Sequence, residues 1–259
     1  MIDFTVQRYR ELLRALMNNG YQFQTFAEFI AKPGKKSIVL RHDVDLLPKN
    51  SLAFAKLQAL KGIKGTYYFR AVPESWDEKI ILKIAELGHE IGYHYECLTT
   101  TKGDLEAGIQ DFRNNLFALR ELTPVSTICM HGSPLSKYDS KDLWKTYRYQ
   151  DFGIVGEPYF DINYDKVYYL TDTGRKWDGH KTSVRDRVNT RFTKTFHSTP
   201  EIVEALKNAA FPNQVMFTFH PQRWNDSIIK WSKELVLQNV KNVVKKHFYV
   251  KNDSKIKTQ

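Results

Sequence analysis

Short apolar runs alternate with amphipathic segments along most of the chain. The runs are rich in β-branched and aromatic residues, which is typical of buried strands, while between them apolar residues recur with the period of one helix face. Because parallel strands are joined by helical crossovers, this alternation predicts an α/β fold with a parallel sheet. About seven strands are expected, near residues 38–40, 66–69, 90–93, 126–130, 153–155, 167–170 and 214–219.

Helix boundaries are predicted from capping residues. Asp3 can cap a first helix that ends at Asn19-Gly20, and Asn50 or Ser51 can cap a second. About seven strand–helix units in one domain of 259 residues favour a (β/α) barrel over an open sheet. No Gly-rich phosphate loop follows the first strand, so a dinucleotide-binding fold has little support. The predicted organisation is a helical lead-in (1–36), a barrel core (37–221) and a C-terminal helix with a basic tail (222–259).

Polar, ionisable residues follow six of the predicted strands. In a (β/α) barrel the carboxyl ends of the strands meet at one face, where active sites lie. One polar strand end is ordinary, but six in succession predict a functional site at that face. The residues at these ends are Asp43 and Asp45, Arg70, His94 and Glu96, His131, Asp172, and His220.

The two aspartates after the first barrel strand suggest a metal. Side chains two residues apart in a strand share a face, so Asp43 and Asp45 are expected to lie close together and to repel each other. A bound cation relieves that repulsion, whereas the alternative is a solvated turn before Leu47-Pro48. Carboxylate and neutral imidazole ligands with an open position are typical of catalytic zinc and related divalent ions. A further carboxylate and a histidine then supply a general base and a general acid, which fits hydrolysis of an amide or ester.

The composition indicates a globular protein of enzyme size. Hydrophobic residues make up 42% of the chain and aromatic residues 14%. No apolar run approaches the ~20 residues of a membrane helix, and the first residues show no signal-peptide pattern. Cys97 and Cys129 make no disulfide framework. Together these absences predict a cytoplasmic protein.

Part of the net charge of +10 comes from the lysines near the C-terminus. One interpretation is attraction to an anionic substrate or surface, and the other is a solvated helix face with a frayed tail. No zinc-finger, RNA-binding or helix-turn-helix pattern accompanies the charge, so no nucleic acid partner is expected. The sequence predicts no oligomeric state.

Three motifs resemble those of the NodB-homology polysaccharide deacetylases, a family like the carbohydrate esterases of family 4. They are Leu40-Arg41-His42-Asp43-Val44-Asp45, Gly88-His89-Glu90-Ile91-Gly92-Tyr93-His94 and Phe217-Thr218-Phe219-His220-Pro221. The first resembles a branch with an Arg-His-Asp-X-Asp opening. The resemblance spans roughly residues 37–221 and implies a distorted (β/α) barrel that removes acetyl groups from sugars with a divalent metal.

By this resemblance Asp43 is the catalytic base, Asp45 and His94 bind the metal, and His220 is the general acid. The family's usual second motif has another histidine four residues after the first, where this chain has Leu98. His131 is our first choice for the missing ligand and Glu96 the second. Zinc is the expected metal, with cobalt, nickel or iron as alternatives.

The remaining candidates are predicted to bind substrate or to support the residues that do. Arg70 and Arg175 can hold an anionic or hydroxyl-rich substrate or form ion pairs, and Asp172 can bind substrate or support the residues that do. Trp177 can stack on a sugar ring or cover apolar surface. These features predict a deacetylase acting on an acylated amino sugar or glycan precursor. The alternatives are an amide hydrolase with a formyl or cyclic amide substrate, and a non-catalytic carbohydrate-binding barrel.

Overall fold

The computed structural model describes residues 2–133, 136–177 and 188–245. Seven strands form one sheet in the order β5-β4-β3-β2-β7-β6, with β1 paired to β2, and every pairing is parallel. The predicted α/β fold with a curled, barrel-like parallel sheet is thereby confirmed. The strands are β1 (Gln22–Gln24), β2 (Ser37–Val44), β3 (Thr66–Phe69), β4 (Glu90–Tyr95), β5 (Ile128–Met130), β6 (Tyr168–Thr171) and β7 (Gln214–Phe219).

Helices connect the strands and cover the outside of the sheet. They are α1 (Val6–Asn18), α2 (Phe26–Ala31), α3 (Pro48–Ala59), α4 (Glu78–Glu86), α5 (Cys97–Thr100), α6 (Leu105–Arg120), α7 (Pro158–Asp161), α8 (Thr199–Lys207) and α9 (Ile228–Lys245). Short 3-10 helices span Ser140–Lys145, Tyr149–Phe152, Thr173–Arg175 and Pro221–Arg223. Within the described ranges, no helix is both long and apolar enough to cross a membrane.

One predicted strand is wrong. Residues 153–155 form no strand, because the 3-10 helix Tyr149–Phe152 ends at Gly153, whose φ of 69° turns the chain. A single bridge between Thr127 and Gly156 is what remains of the predicted pairing. The seventh strand is β1, which lies in the stretch predicted as a helical lead-in.

Two predicted helix caps are also wrong. Thr5, not Asp3, caps α1: its hydroxyl accepts a 3.1 Å hydrogen bond from the Arg8 backbone. The Asp3 carboxylate instead accepts from the Thr199 backbone amide at 2.7 Å, at the start of α8. Helix α3 begins at Pro48, before the predicted Asn50 or Ser51 caps, because Pro is suited to a first helical turn.

The inner face of the sheet carries its own apolar cluster. The cluster contains one residue from each of five strands, namely Val39, Tyr68, Cys129, Tyr169 and Met216. Phe26 and Phe29 of α2 pack with them. Gly92 is needed on this face, because an added Cβ would lie 2.3 Å from the Tyr68 ring. Two larger clusters fill the space between the outer face and the helices.

Helix α2 is fixed to the amino ends of the strands by buried polar contacts. The Phe26 amide donates to Thr66 Oγ1 at 2.8 Å, and the Ala27 amide donates to Glu90 Oε2 at 3.0 Å. Thr66 and Thr127 hydroxyls also donate to the Glu90 carboxylate. Helix α2 therefore covers the amino ends of the strands. The carboxyl ends, at the opposite edge of the sheet, carry the polar residues of the predicted site.

Candidate metal and catalytic site

Strand β2 brings three charged side chains to the inner face. Arg41, Asp43 and Asp45 follow Val39 at intervals of two residues, and alternation in a strand places all four on one side. Asp43 Oδ2 and Asp45 Oδ1 each lie 3.6 Å from His94 Nε2 of β4. The two carboxylates thus face the same imidazole, as their spacing predicts.

Arg41 neutralises Asp43 directly. Its Nε and Nη2 donate to the two carboxylate oxygens at 2.8 and 2.6 Å, and both side chains are buried. Burial raises the pKa of Asp43, but the Arg41 charge, and after it His94, outweigh burial and hold that pKa below its usual range. Asp43 is therefore ionised at neutral pH although it is buried.

Asp45, His94 and His131 bring three donor atoms to one point. Asp45 Oδ1 lies 3.6 Å from Nε2 of both histidines, and the three donors lie within 4.8 Å of one another. These separations are too long for hydrogen bonds but close to the ~3.4 Å between ligands on a tetrahedral zinc with bonds of ~2.1 Å. Asp45 Oδ1 is also buried without a hydrogen-bond partner among the described residues. A divalent cation fits this donor set.

Both histidines present the correct nitrogen for metal binding. His94 Nδ1 lies 2.8 Å from the Cys129 carbonyl oxygen, which can only accept, so the Nδ1 hydrogen is donated there. His131 Nδ1 lies 2.9 Å from Glu96 Oε2 and is held in the same way by a carboxylate. Each Nε2 is then left with its lone pair toward Asp45. Such outer hydrogen bonds fix the tautomer and orientation of metal-binding histidines.

Glu96 lies behind His131. The strand ends at Tyr95, and the Glu96 carboxylate accepts from His131, from Ser133 Oγ at 3.1 Å and from Arg70 Nε at 2.7 Å. Burial raises the pKa of Glu96, but its bonds to His131 and Arg70 prevail and lower it to about 2. Arg70 also donates to the Asp45 backbone oxygen at 3.1 Å. Both residues therefore support the donor set from outside.

Leu98 is directed into the core rather than the site. It lies in α5, is buried, and packs among the apolar side chains between the sheet and α6. Its methyl group would lie 2.7 Å from a Cβ added at Gly108 of α6. The chain therefore turns away from the inner face after Glu96, and the donor beside His94 comes from the end of β5 instead.

His220 approaches Asp45 from β7. Its Nε2 lies 3.7 Å from Asp45 Oδ2, and its Nδ1 lies 2.5 Å from Asp172 Oδ1. Burial and the neighbouring Arg223 lower the pKa of His220, but Asp172 and Asp45 raise it further, and the net shift is upward. The protonated imidazolium is favoured, as a general acid requires.

Asp172 is itself held by four donors. Its carboxylate accepts from the His220 backbone amide at 2.9 Å, from Trp224 Nε1 at 2.6 Å and from Arg223 Nη1 at 3.1 Å, in addition to the His220 ring. The side chain is fully buried. Asp172 therefore orients His220 and is not available to substrate.

Two predicted substrate-binding residues lie elsewhere. Trp177 is buried among Phe4, Phe217 and Phe219, and its Nε1 donates to Thr199 Oγ1 at 3.0 Å, so it cannot stack on a sugar. Arg175 is also buried, and its Nη1 donates to the Trp231 carbonyl at 2.8 Å, with the guanidinium over the Trp231 ring. The loop after β6 turns both side chains toward α9 and the outer core.

Three further ionisable residues have structural surroundings: His42, His89 and Cys97. Burial lowers the pKa of His42 to about 3, and its ring stacks on Tyr67 on the outer face. His89 accepts from the Gly65 amide at 3.1 Å. Cys97 packs in the outer core, where burial raises the pKa of its thiol to about 12, so it is no nucleophile.

Arg41 and Arg223 lie in the site, although neither is among the residues predicted from the sequence to form it. Arg41 has the same two-residue spacing from Asp43 that pairs Asp43 with Asp45, so strand alternation alone could have found it. Arg223 lies three residues after His220, in a 3-10 turn that brings its guanidinium back to Asp172. No pattern in the sequence indicates that turn.

No protein-family model and no curated protein matches the sequence. Among solved structures, a family 4 carbohydrate esterase from Bacillus anthracis is 12% identical, with 93% of this chain and 89% of that chain covered and a TM-score of 0.40. A Streptococcus mutans CE4 esterase is 15% identical, with coverage of 86% and 89% and a TM-score of 0.46. A CE4 family pseudoenzyme from Bacillus anthracis is 15% identical, with coverage of 82% and 62% and a TM-score of 0.43. In the path of its chain, this protein is thus similar to family 4 carbohydrate esterases.

Proposed function

We propose that the protein is a divalent-metal-dependent hydrolase that removes an acetyl or similar acyl group from an amino sugar or glycan precursor. The observation that carries this proposal is the convergence of Asp45, His94 and His131 on one point, with Asp45 Oδ1 buried and unpartnered among the described residues. The resemblance of the three motifs to polysaccharide deacetylases supports an acetyl group as the one removed.

Asp45, His94 and His131 would hold the cation, and zinc suits one carboxylate and two imidazoles. When bound, such a cation supplies acidified water and a polarised acyl oxygen. Glu96 and the Cys129 carbonyl keep the two rings oriented for this task. His131 thereby takes the place of the histidine that the usual second motif would supply at position 98.

Asp43 and His220 divide the proton transfers between them. Asp43, which Arg41 keeps ionised, lies 3.6 Å from His94 Nε2 and accepts a proton as the general base. His220 approaches Asp45 from the neighbouring strand β7, and Asp172 keeps its imidazolium protonated for donation to the leaving group. Base and acid therefore come from neighbouring strands and reach the same donor set.

The test separates metal binding from catalysis. Purified protein is assayed for bound metal by elemental analysis and for acetate release from acetylated amino sugars and nucleotide sugars, with added zinc or cobalt. We expect Asp45→Asn to lose metal and activity, and Asp43→Asn to keep metal but lose activity by at least about a hundredfold. Asp142→Asn, a change at a surface ion pair with Lys145, is the matched control and should behave as the unaltered protein.

Retained metal in Asp45→Asn would refute the proposed ligand set. Metal bound as expected, with no acyl group released from any of these substrates, would contradict deacetylation. Activity on formyl or cyclic amides would then favour the alternative amide hydrolase. Sugar binding that persists in Asp45→Ala, in a protein without metal, would favour the non-catalytic barrel.

A further inference from the structure

The outward face of α9 is unusually apolar for a surface helix. Ile229 is 78% exposed and Val236 is 64% exposed, and Ile228 and Leu237 beside them are exposed as well. Ile229 and Val236 are seven residues, or about two turns, apart and therefore lie on the same side of the helix. Ile228 and Leu237 lie on either side of this pair, with Ser232 and Lys233 between, so the exposed half of the helix carries four apolar side chains within ten residues.

The opposite side of α9 is attached to the protein. Trp231 Nε1 donates to the Asp3 carbonyl at 2.7 Å, and Arg175 Nη1 donates to the Trp231 carbonyl at 2.8 Å. Gln238, two turns further along, is buried on this same side. The helix is therefore docked through one face, and the apolar face points away from the body.

Positive charge accompanies the exposed apolar face. Lys233 lies among the exposed apolar side chains and Lys230 lies next to Leu237 at their edge, and both lysines are exposed. From residue 228 to the end of the sequence there are eight lysines and two acidic residues, so this segment holds most of the chain's net charge of +10. An amphipathic helix with apolar residues on one side and lysines beside them is typical of binding to the surface of an anionic bilayer.

The helix lies on the same side of the barrel as the candidate site. The 3-10 turn Thr173–Arg175, which contacts Trp231, follows directly after Asp172, the residue that orients His220. The carboxyl ends of β6 and β7 are therefore next to the first turns of α9. A surface to which α9 binds would therefore lie beside the candidate site.

We propose that the outward face of α9 docks the protein on an anionic phospholipid surface. The apolar side chains enter the interface between headgroups and acyl chains, and the lysines contact lipid phosphates and carboxylates. Pairing of two copies through this face is disfavoured because it would bring two lysine-rich segments together. The inference goes beyond the proposed function and does not depend on metal binding or on deacetylation.

The experiment is co-sedimentation of the full chain with lipid vesicles. Vesicles of phosphatidylcholine with phosphatidylserine are compared with vesicles of phosphatidylcholine alone, at low and at high salt. The test variants are Ile229→Glu with Val236→Glu, and Lys230→Glu with Lys233→Glu. Their matched controls are Leu60→Glu with Phe117→Glu, which are 85% and 64% exposed at the end of α3 and on α6, and Lys79→Glu with Lys83→Glu on α4.

We expect binding to the anionic vesicles that weakens with salt and falls at least about tenfold in both test variants but in neither control. All altered residues are exposed, and circular dichroism checks that each variant is folded. Absence of binding to anionic vesicles overturns the proposal, as does equal loss in the controls. A dimer that both lacks vesicle binding and dissociates in Ile229→Glu with Val236→Glu would show that a second copy covers this face instead.

Discussion

Arg41, Asp43 and Asp45 show how one strand gives two carboxylates different roles. The Arg41 guanidinium forms its ion pair with Asp43 and not with Asp45, whereas Asp45 faces three imidazole nitrogens at 3.6 to 3.7 Å. Strand alternation predicts that all three side chains share a face. Which of the two carboxylates forms the ion pair with Arg41 depends on side-chain rotamers and packing, and these are properties of the folded protein.

Asp172→Asn should move the pH dependence of activity. Asp172 raises the pKa of His220 against burial and the Arg223 charge, so removing its charge lowers that pKa. The acid must be protonated, and activity is lost as pH rises through its pKa. The alkaline limb of the kcat/KM profile should therefore shift to lower pH, with a loss of about 10- to 100-fold at neutral pH.

The measurement is the pH profile of acyl release at saturating metal, with Asp142→Asn as the control. A profile in Asp172→Asn with the same alkaline limb as the unaltered protein would show that His220 does not act as the acid.

At the scale of elements, local chemistry decides a helix start only where no distant group competes for it. Asp104 caps α6, with its carboxylate accepting from the Ala107 amide at 3.0 Å. Asp3 is an equally suitable capping residue for α1 by its sequence position. Its carboxylate instead accepts a hydrogen bond from the Thr199 amide, because the start of α8 lies within reach. Thr5 then caps α1.

Asp104→Ala should destabilise the protein by about 1 kcal/mol, because the Ala107 amide loses its partner and a favourable charge leaves the helix amino end. The free energy of unfolding is measured by urea denaturation at neutral pH. Asp104→Ser keeps a capping oxygen and serves as the control. Equal loss in Ala and Ser variants would mean that the cap is not the cause.

At the scale of the whole molecule, the barrel has one closed end and one reactive end. The amino ends of the strands are covered by α2, which Thr66 and Glu90 bind through its first amides, while the donor residues gather at the carboxyl ends. Burial raises the pKa of Glu90, although hydrogen bonds from Thr127 and the Ala27 amide oppose that shift. The contacts with α2 hold the amino ends of the strands in place, and the strands in turn position the residues at their carboxyl ends.

Phe26→Ala should therefore be costly. Phe26 is fully buried in the inner cluster and contacts the region of Gly156, so its removal leaves a cavity that costs about 3–5 kcal/mol. Phe117→Ala, at a largely exposed position, should cost less than about 0.5 kcal/mol. Urea denaturation of both variants provides the comparison, and similar midpoints would show that α2 does not close the barrel.

The sequence by itself determined the alternation of strands and helices, the parallel sheet and the strand ends that carry Asp43, Asp45, His94, His131 and His220. These follow from local periodicity, because the period of the apolar residues fixes both the element and the face of each side chain. Only the tertiary structure decided that β1 replaces the strand expected at 153–155. It also decided that Trp177 and Arg175 turn away from the site while Arg41 and Arg223 enter it. Pairing partners, turns and the directions of long side chains depend on distant neighbours, and no local pattern records them.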